Sequence, residues 1–392
     1  MEKGIPVKRF WVLVIMLLAM LAASACSSPV ERLWAYPISS PIYSTPRLAG
    51  DFVIFGSEGG TLNAVDKKGQ SRWQYQVPSG EIFSRPASDG KLVFFGSTNQ
   101  KFYAVDMTGR LRWQFAARER IKSDPLVHEG VVYVTSYDGH VYALQAASGK
   151  KLWQFPPLAK QTEAEPPDAG EGEEKNRKQD AEEQKPVQPP VLTPPPGAFS
   201  YSAPTVRDGV LYVGNLDGYL YAINTADGSL KWRFQAREGI TSSPLVEEGV
   251  VYFGSKDDNV YAIDAAGGQK VIWKYKTGDD VLSSPRLAEG LLYIGSNDKH
   301  LYVLDAKTGK LKCRFAAKGP VVSYPVFYKN LVIFSGGQGD GRVYFVQQKT
   351  CQPFYAYRTG YKIESDPVLE GDRVYVTSGD SKLYTFKINK TQ

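Results

Sequence analysis

The stretch SSPLVEEGVVYFGSKDDNVYAIDAAGGQKVIWKYKTG (242–278) holds one complete structural unit. SSPLVEEG (242–249) reads as a first short strand and a turn, and VVYFGSKDD (250–258) as a second strand ending in a tight polar turn. NVYAIDAAGG (259–268) gives a third strand and VIWKYKTG (271–278) a fourth. Alternating Val, Ile and Tyr suit a half-buried pleat, while the Gly and Asp clusters between them supply turn geometry.

The unit repeats. Its S-x-P signature recurs at Pro46, Pro86, Pro125, Pro204, Pro244, Pro285, Pro325 and Pro367. Successive spacings are 40, 39, 79, 40, 41, 40 and 42 residues, and the long interval is one repeat plus an insertion. The x residue is Thr45, Arg85, Asp124, Ala203, Ser243, Ser284, Tyr324 and Asp366 in turn. Four short strands at this period predict an all-β, eight-bladed β-propeller of antiparallel blades.

The chain ends predict how the ring closes. The eighth copy stops at KLYTFKINKTQ (382–392) without a fourth strand, and an unused fourth-strand phrase, Trp34-Ala35-Tyr36, precedes the first copy. Trp34 lies 12 residues before Pro46, the interval that also separates Trp113 from Pro125 and Trp232 from Pro244. The N-terminal strand is therefore expected to complete the last blade, which hides two sheet edges that would otherwise invite aggregation.

With 392 residues and 42% hydrophobic content, the chain can build a large core. The formal charge of +6 is diffuse, and no basic block stands on a nucleic-acid motif, so no nucleic-acid partner is expected. Lys8 and Arg9 precede the apolar run FWVLVIMLLAMLAA (10–23), then Ser24, Ala25 and Cys26. A short basic start, an apolar run below the roughly 20 residues of a membrane span, and small residues before a cut site describe an export signal.

The phrase YAIDAxxGxxxW followed by S-x-P resembles the PQQ-type propeller repeat, across almost all of residues 34–392 outside the insertion. ASAC (23–26) resembles a lipoprotein lipobox. Together these imply a signal peptide over 1–25, lipid on Cys26, a tether over 26–33 and a propeller over 34–392. The combination is similar to the propeller lipoproteins of the outer-membrane β-barrel assembly machinery. That resemblance implies a non-catalytic scaffold in the cell envelope, anchored in the outer membrane by lipid and facing the periplasm. Its expected partner is the barrel assembly machinery. Alternatives are an envelope sensor or ligand-binding lipoprotein, or a PQQ-dependent dehydrogenase.

The residues themselves favour a non-enzyme without cofactor or metal. Many quinoproteins set two adjacent Cys against the cofactor, and this chain has no such pair. Acidic residues in KDDN (256–259) and NDKH (297–300) occupy second-to-third strand turns, where Asp serves turn chemistry. His140 and His300 occupy the same repeat position three blades apart, too far to share an ion. His128 lies in a different turn. GGQGDGR (336–342) lacks the strand–loop–helix setting of a phosphate cradle and reads as an enlarged hairpin.

Between blades three and four, residues 156–199 contain 10 prolines, 9 acidic and 5 basic side chains among 44 residues. So polar a segment cannot bury enough surface to fold, and a disordered loop is expected, available as a docking arm.

In PQQ-type propellers the fourth-strand Trp resembles a wedge against a Gly of the next blade. The resemblance assigns this docking role to Trp34, Trp73, Trp113, Trp153, Trp232, Trp273 and Tyr355. In DAKTGKLKCRF (305–315) Cys313 stands in the Trp position, and the Gly position of the following blade is Cys351. The same resemblance thus implies a Cys313–Cys351 disulfide in place of one wedge, in the oxidising compartment that an exported protein meets.

Overall fold

The computed structural model describes residues 28–157 and 202–389. The expected signal segment, Cys26 and residues 158–199 of the proline-rich loop lie outside the described residues. All described strands fall into eight four-stranded antiparallel sheets. In blade five, strand a is Leu245–Glu247, b is Val250–Gly254, c is Asn259–Asp264 and d is Val271–Lys276, paired in that order.

Blade eight closes the ring as the sequence predicts. Its strands a to c are Val368–Glu370, Arg373–Ser378 and Lys382–Ile388, and its strand d is Val30–Pro37 from the other end of the chain. The register runs from Val30 opposite Ile388 to Pro37 opposite Lys382. Strand d begins four residues before the expected boundary at Trp34, so residues 30–33 are strand rather than tether. Val30 explains the difference: it is buried between blades seven and eight, against a core that includes Ile363 and Phe386.

The core is a set of seams, one at each blade junction. At one of them Val251, Phe253, Tyr261 and Ile263 of blade five meet Tyr212, Leu220 and Ala222 of blade four. Another joins Ile42, Val53 and Phe55 of blade one to Tyr375 and Leu383 of blade eight. Strands b and c are covered on both faces, which is why they read as near-continuous apolar runs. Full burial of a side chain such as Phe253 contributes about 2–3 kcal/mol. Strand d forms the outer rim and alternates exposed with half-buried residues.

The serine of S-x-P ties blades together. Ser202 Oγ accepts the Gly214 N–H (3.0 Å) of its own blade and donates to the Ser242 carbonyl (3.1 Å) of the next. Ser44 does the same between blades one and two, with Gly56 N–H and the Ser84 carbonyl. These hydroxyls are buried and satisfied near the axis, so structure accounts for their recurrence.

Candidate functional site: blade seams and the central channel

The fourth-strand tryptophans sit on the blade seams. Trp34, Trp73, Trp113, Trp153, Trp232 and Trp273 lie against Gly69, Gly109, Gly149, Gly228, Gly268 and Gly309 of the following blades. The indole N–H groups of Trp113, Trp153, Trp232 and Trp273 donate to carbonyls of Ala146, Thr225, Ala265 and Ala306 across the seam. Within its own blade the Trp pairs with the small residue of YAID, as Ala262 pairs with Trp273, and a bulge follows at that pair. A small residue there leaves space for the indole. Opposite Cys313 the residue is Val303 instead.

Cys313 and Cys351 are joined by a disulfide, with Cα atoms 6.0 Å apart. Cys351 takes the left-handed backbone (φ 56°) that Gly supplies in blades one to six. Tyr355 packs its ring 5.8 Å from that of Phe345, the residue paired with it in the sheet.

The second-to-third strand turns use their Asp to hold a Tyr. The O–H of Tyr142, Tyr221, Tyr261, Tyr302 and Tyr344 donates to Asp138, Asp217, Asp257, Asp298 and Asp340 at 2.6–2.7 Å. Burial, then the Asp298 carboxylate, pushes the Tyr302 phenol up to about 12. His140 and His300 each lean on the Asp of their own turn, Asp138 and Asp298. In the enlarged turn of blade seven, Asp340 also pairs with Arg342. Asp258, Asp279 and Asp280 bring carboxylate oxygens within 4.8 Å of one another, with Lys276 3.9 Å from Asp258.

The x residues of S-x-P ring the axis. The Arg85 N–H donates to Asp124 (2.7 Å), Tyr324 N–H to Asp366 (2.9 Å), and Asp366 N–H to Thr45 Oγ1 (2.9 Å). Above them opens a cavity of about 690 Å³, walled by the strand d-to-a connections and the b–c turns. Its walls include Thr45, Asp124, Ser243, Ser284, Tyr324 and Asp366. Burial pushes the carboxyls of both Asp124 and Asp366 up to about 7, against the pull of Arg85. Three guanidinium groups, of Arg47, Arg85 and Arg286, belong to the same neighbourhood.

The cavity mouth is aromatic and carries charges of both signs. Tyr43 stacks on Phe83 (6.2 Å), Lys122 lies 4.2 Å from the Phe83 ring and Lys362 4.7 Å from that of Tyr43. Arg120 covers Tyr137 at 4.5 Å, and Tyr361 is 55% exposed. Phe155, which ends strand d of blade three, and Ser202, just ahead of strand a of blade four, flank the proline-rich insertion. Sequence reasoning missed the channel arginines. The available signals were the x position, where small residues give way to Arg85, Asp124, Tyr324 and Asp366, and the residue after the proline, which is Arg47 in blade one and Arg286 in blade six.

Eight seams, the S-x-P ring and the Trp–Gly contacts define the class: an eight-bladed propeller built of PQQ-like repeats. A family model described as outer membrane protein assembly factor BamB matches residues 59–170 and 168–285, and the chain belongs to that family. BamB of Xanthomonas campestris pv. campestris is 28% identical over 113 residues, 29% of this chain and 21% of that protein. The matched region thus spans about a fifth of that relative's length. The crystal structure of BamB from Moraxella catarrhalis superposes with a TM-score of 0.71 at 16% identity, covering 93% of this chain and 99% of that one. Quinohemoprotein alcohol dehydrogenase from Comamonas testosteroni gives 0.71 at 14% identity, covering 93% and 77%. The computationally designed Ika8 protein gives 0.72 at 14%, covering 91% and 100%. At such identities these three likenesses show the fold alone.

Proposed function

We propose that this chain is a non-catalytic scaffold that aids assembly and insertion of outer-membrane β-barrel proteins through contacts with the barrel assembly machinery. The observation that carries the reading is the family match across residues 59–285. Lipid on Cys26 would anchor it in the outer membrane, facing the periplasm. Cys26 is four residues from Val30, where strand d of blade eight begins, so the anchor holds the propeller within roughly 14 Å of the lipidated end. The aromatic mouth supports a binding role, because Tyr, Phe and Arg are the residue types enriched where proteins meet.

Affinity capture of the tagged, full-length protein from detergent-solubilised membranes tests this. Recovery of the barrel-forming subunit is the expected result, and its absence across several mild detergents would overturn the reading. The dehydrogenase alternative has the shared fold in its favour. Both described cysteines, however, are committed to the seam between blades six and seven, Cys313 on outer strand d of blade six and Cys351 in the c–d turn of blade seven. Added quinone cofactor and calcium are expected to give no dye-linked alcohol or sugar oxidation.

A further inference from the structure

The channel gathers three guanidinium groups that its own carboxylates do not touch. The Arg286 Cζ lies 4.3 Å and the Arg85 Cζ 5.6 Å from the centroid of the Tyr324 ring, bringing blades two and six together across the axis. The Arg47 guanidinium is close enough to feel the charge of Arg85. Among the described residues, no ion pair within 4.0 Å involves any of the three. The Nε atoms of Arg47 and Arg85 are buried with no hydrogen-bond partner.

The nearby acids attract Arg85 and Arg286 through space without touching them. Asp124 Oδ1 accepts the Arg85 backbone N–H, while the two oxygens of Asp366 accept from the Tyr324 N–H and the Thr45 hydroxyl. At the mouth, Lys122 and Lys256 are offset by Asp280 and Glu364, so the uncompensated charge lies deeper, around Tyr324. Each of the three arginines keeps some accessible surface. An unpaired, half-buried guanidinium is costly, and a native fold that gathers three of them leaves a charge to be met by something else. A guanidinium presents a planar fork of N–H donors that matches a carboxylate or a phosphate.

We propose that Arg47, Arg85 and Arg286, beside Tyr324, form a binding site for a small oxyanion, a carboxylate or a phosphate, in the central channel. The anion supplies the acceptors that the orphaned guanidinium groups lack. The cavity of about 690 Å³ reaches Tyr324, the ring that the Arg85 and Arg286 guanidinium groups approach from outside its walls. The site stands whether or not the propeller serves barrel assembly, because it rests on channel chemistry and not on a partner.

The test is calorimetric titration of the full-length protein, in buffer free of phosphate and carboxylate, with inorganic phosphate and, separately, with citrate. Saturable one-to-one binding is expected for at least one of them, and the arm that binds identifies the class. Arg286→Gln and Arg85→Gln are each expected to weaken that binding by about tenfold or more. Arg207→Gln, at an exposed ion pair with Glu247, should leave it unchanged. In thermal unfolding, the same anion should raise the midpoint of the unsubstituted protein by mass action, and raise it less in R286Q. If the glutamine variants do not fold, Arg286→Lys, which keeps the charge and loses the fork, must still bind more weakly. The proposal is overturned if neither probe gives saturable heat with the folded protein, or if binding is the same in the folded arginine variants.

Discussion

Gly309 lies so close beneath Trp273 that a Cβ built on it would stand 2.7 Å from the indole Cδ2 and Cε3. Its backbone is left-handed (φ 69°), so a side chain there meets two penalties. The conformation costs an L-residue about 1–2 kcal/mol, and forcing a methyl into the seam costs about 1–3 kcal/mol more. Gly309→Ala is therefore expected to destabilise the propeller by about 2–5 kcal/mol. Gly130→Ala is the control, since its φ is 76° but nothing lies within 4 Å of the added atom. Urea unfolding should show only the smaller, conformational loss in that variant.

The Cys313–Cys351 bond replaces one such contact with a covalent one. Closing a loop with a sequence separation of 38 is worth about 4 kcal/mol in the chain-entropy model. Cys313→Ser with Cys351→Ser should lose stability on that scale, and a reductant should then have no further effect. Cys313→Trp with Cys351→Gly is expected to recover part of the loss by restoring the pair found at six other seams. Val303, opposite Cys313, takes the place of the Ala found opposite Trp273, so recovery should improve when Val303→Ala is added. Non-reducing peptide mapping of protein from its native source should find the two cysteines in one crosslinked peptide.

The Tyr–Asp pairs of the b–c turns make a third expectation. Tyr261 is almost fully buried and donates to Asp257 at 2.7 Å. Tyr261→Phe leaves a half-buried carboxylate short of a donor, and about 2 kcal/mol of stability should be lost. Tyr252→Phe removes a bond to a neutral acceptor, the Ala306 carbonyl at 3.2 Å, and should cost nearer 1 kcal/mol. Equilibrium unfolding of the two variants side by side separates the charged acceptor from the neutral one.

What the sequence made legible is what repeats. The Ser of S-x-P, the Trp of strand d and the Gly against it recur because every seam poses the same packing problem. Their spacing therefore carries the blade count and the closure. Val30-Glu31-Arg32-Leu33 shows no clean alternation, and only its pairing with Lys387, Ile388 and their neighbours makes it strand. The channel floor was illegible for a different reason. Arg85, Arg286, Tyr324 and Asp366 come from four blades, and only ring closure makes them neighbours. Periodicity assigns each its place on the axis but says nothing of what faces it.

The two channel carboxylates give stability an uncommon pH dependence. Burial, opposed by the Arg85 N–H and charge and reinforced by Asp366, raises Asp124 from 3.8 to about 7. Asp366 is raised likewise, mainly by burial. Between pH 4 and 7 the folded protein therefore binds more protons than the unfolded chain. Stability is highest near the bottom of that window, falls as pH rises through it, and is flat above it. A shift of this size corresponds to a loss on the order of 2–4 kcal/mol per carboxylate. Asp124→Asn keeps an oxygen to accept the Arg85 N–H and removes the ionisation. The variant should match the unsubstituted protein near pH 4, exceed it at pH 8, and show a shallower slope between. Unfolding midpoints measured across that range would exclude a titrating Asp124 if both proteins declined in parallel.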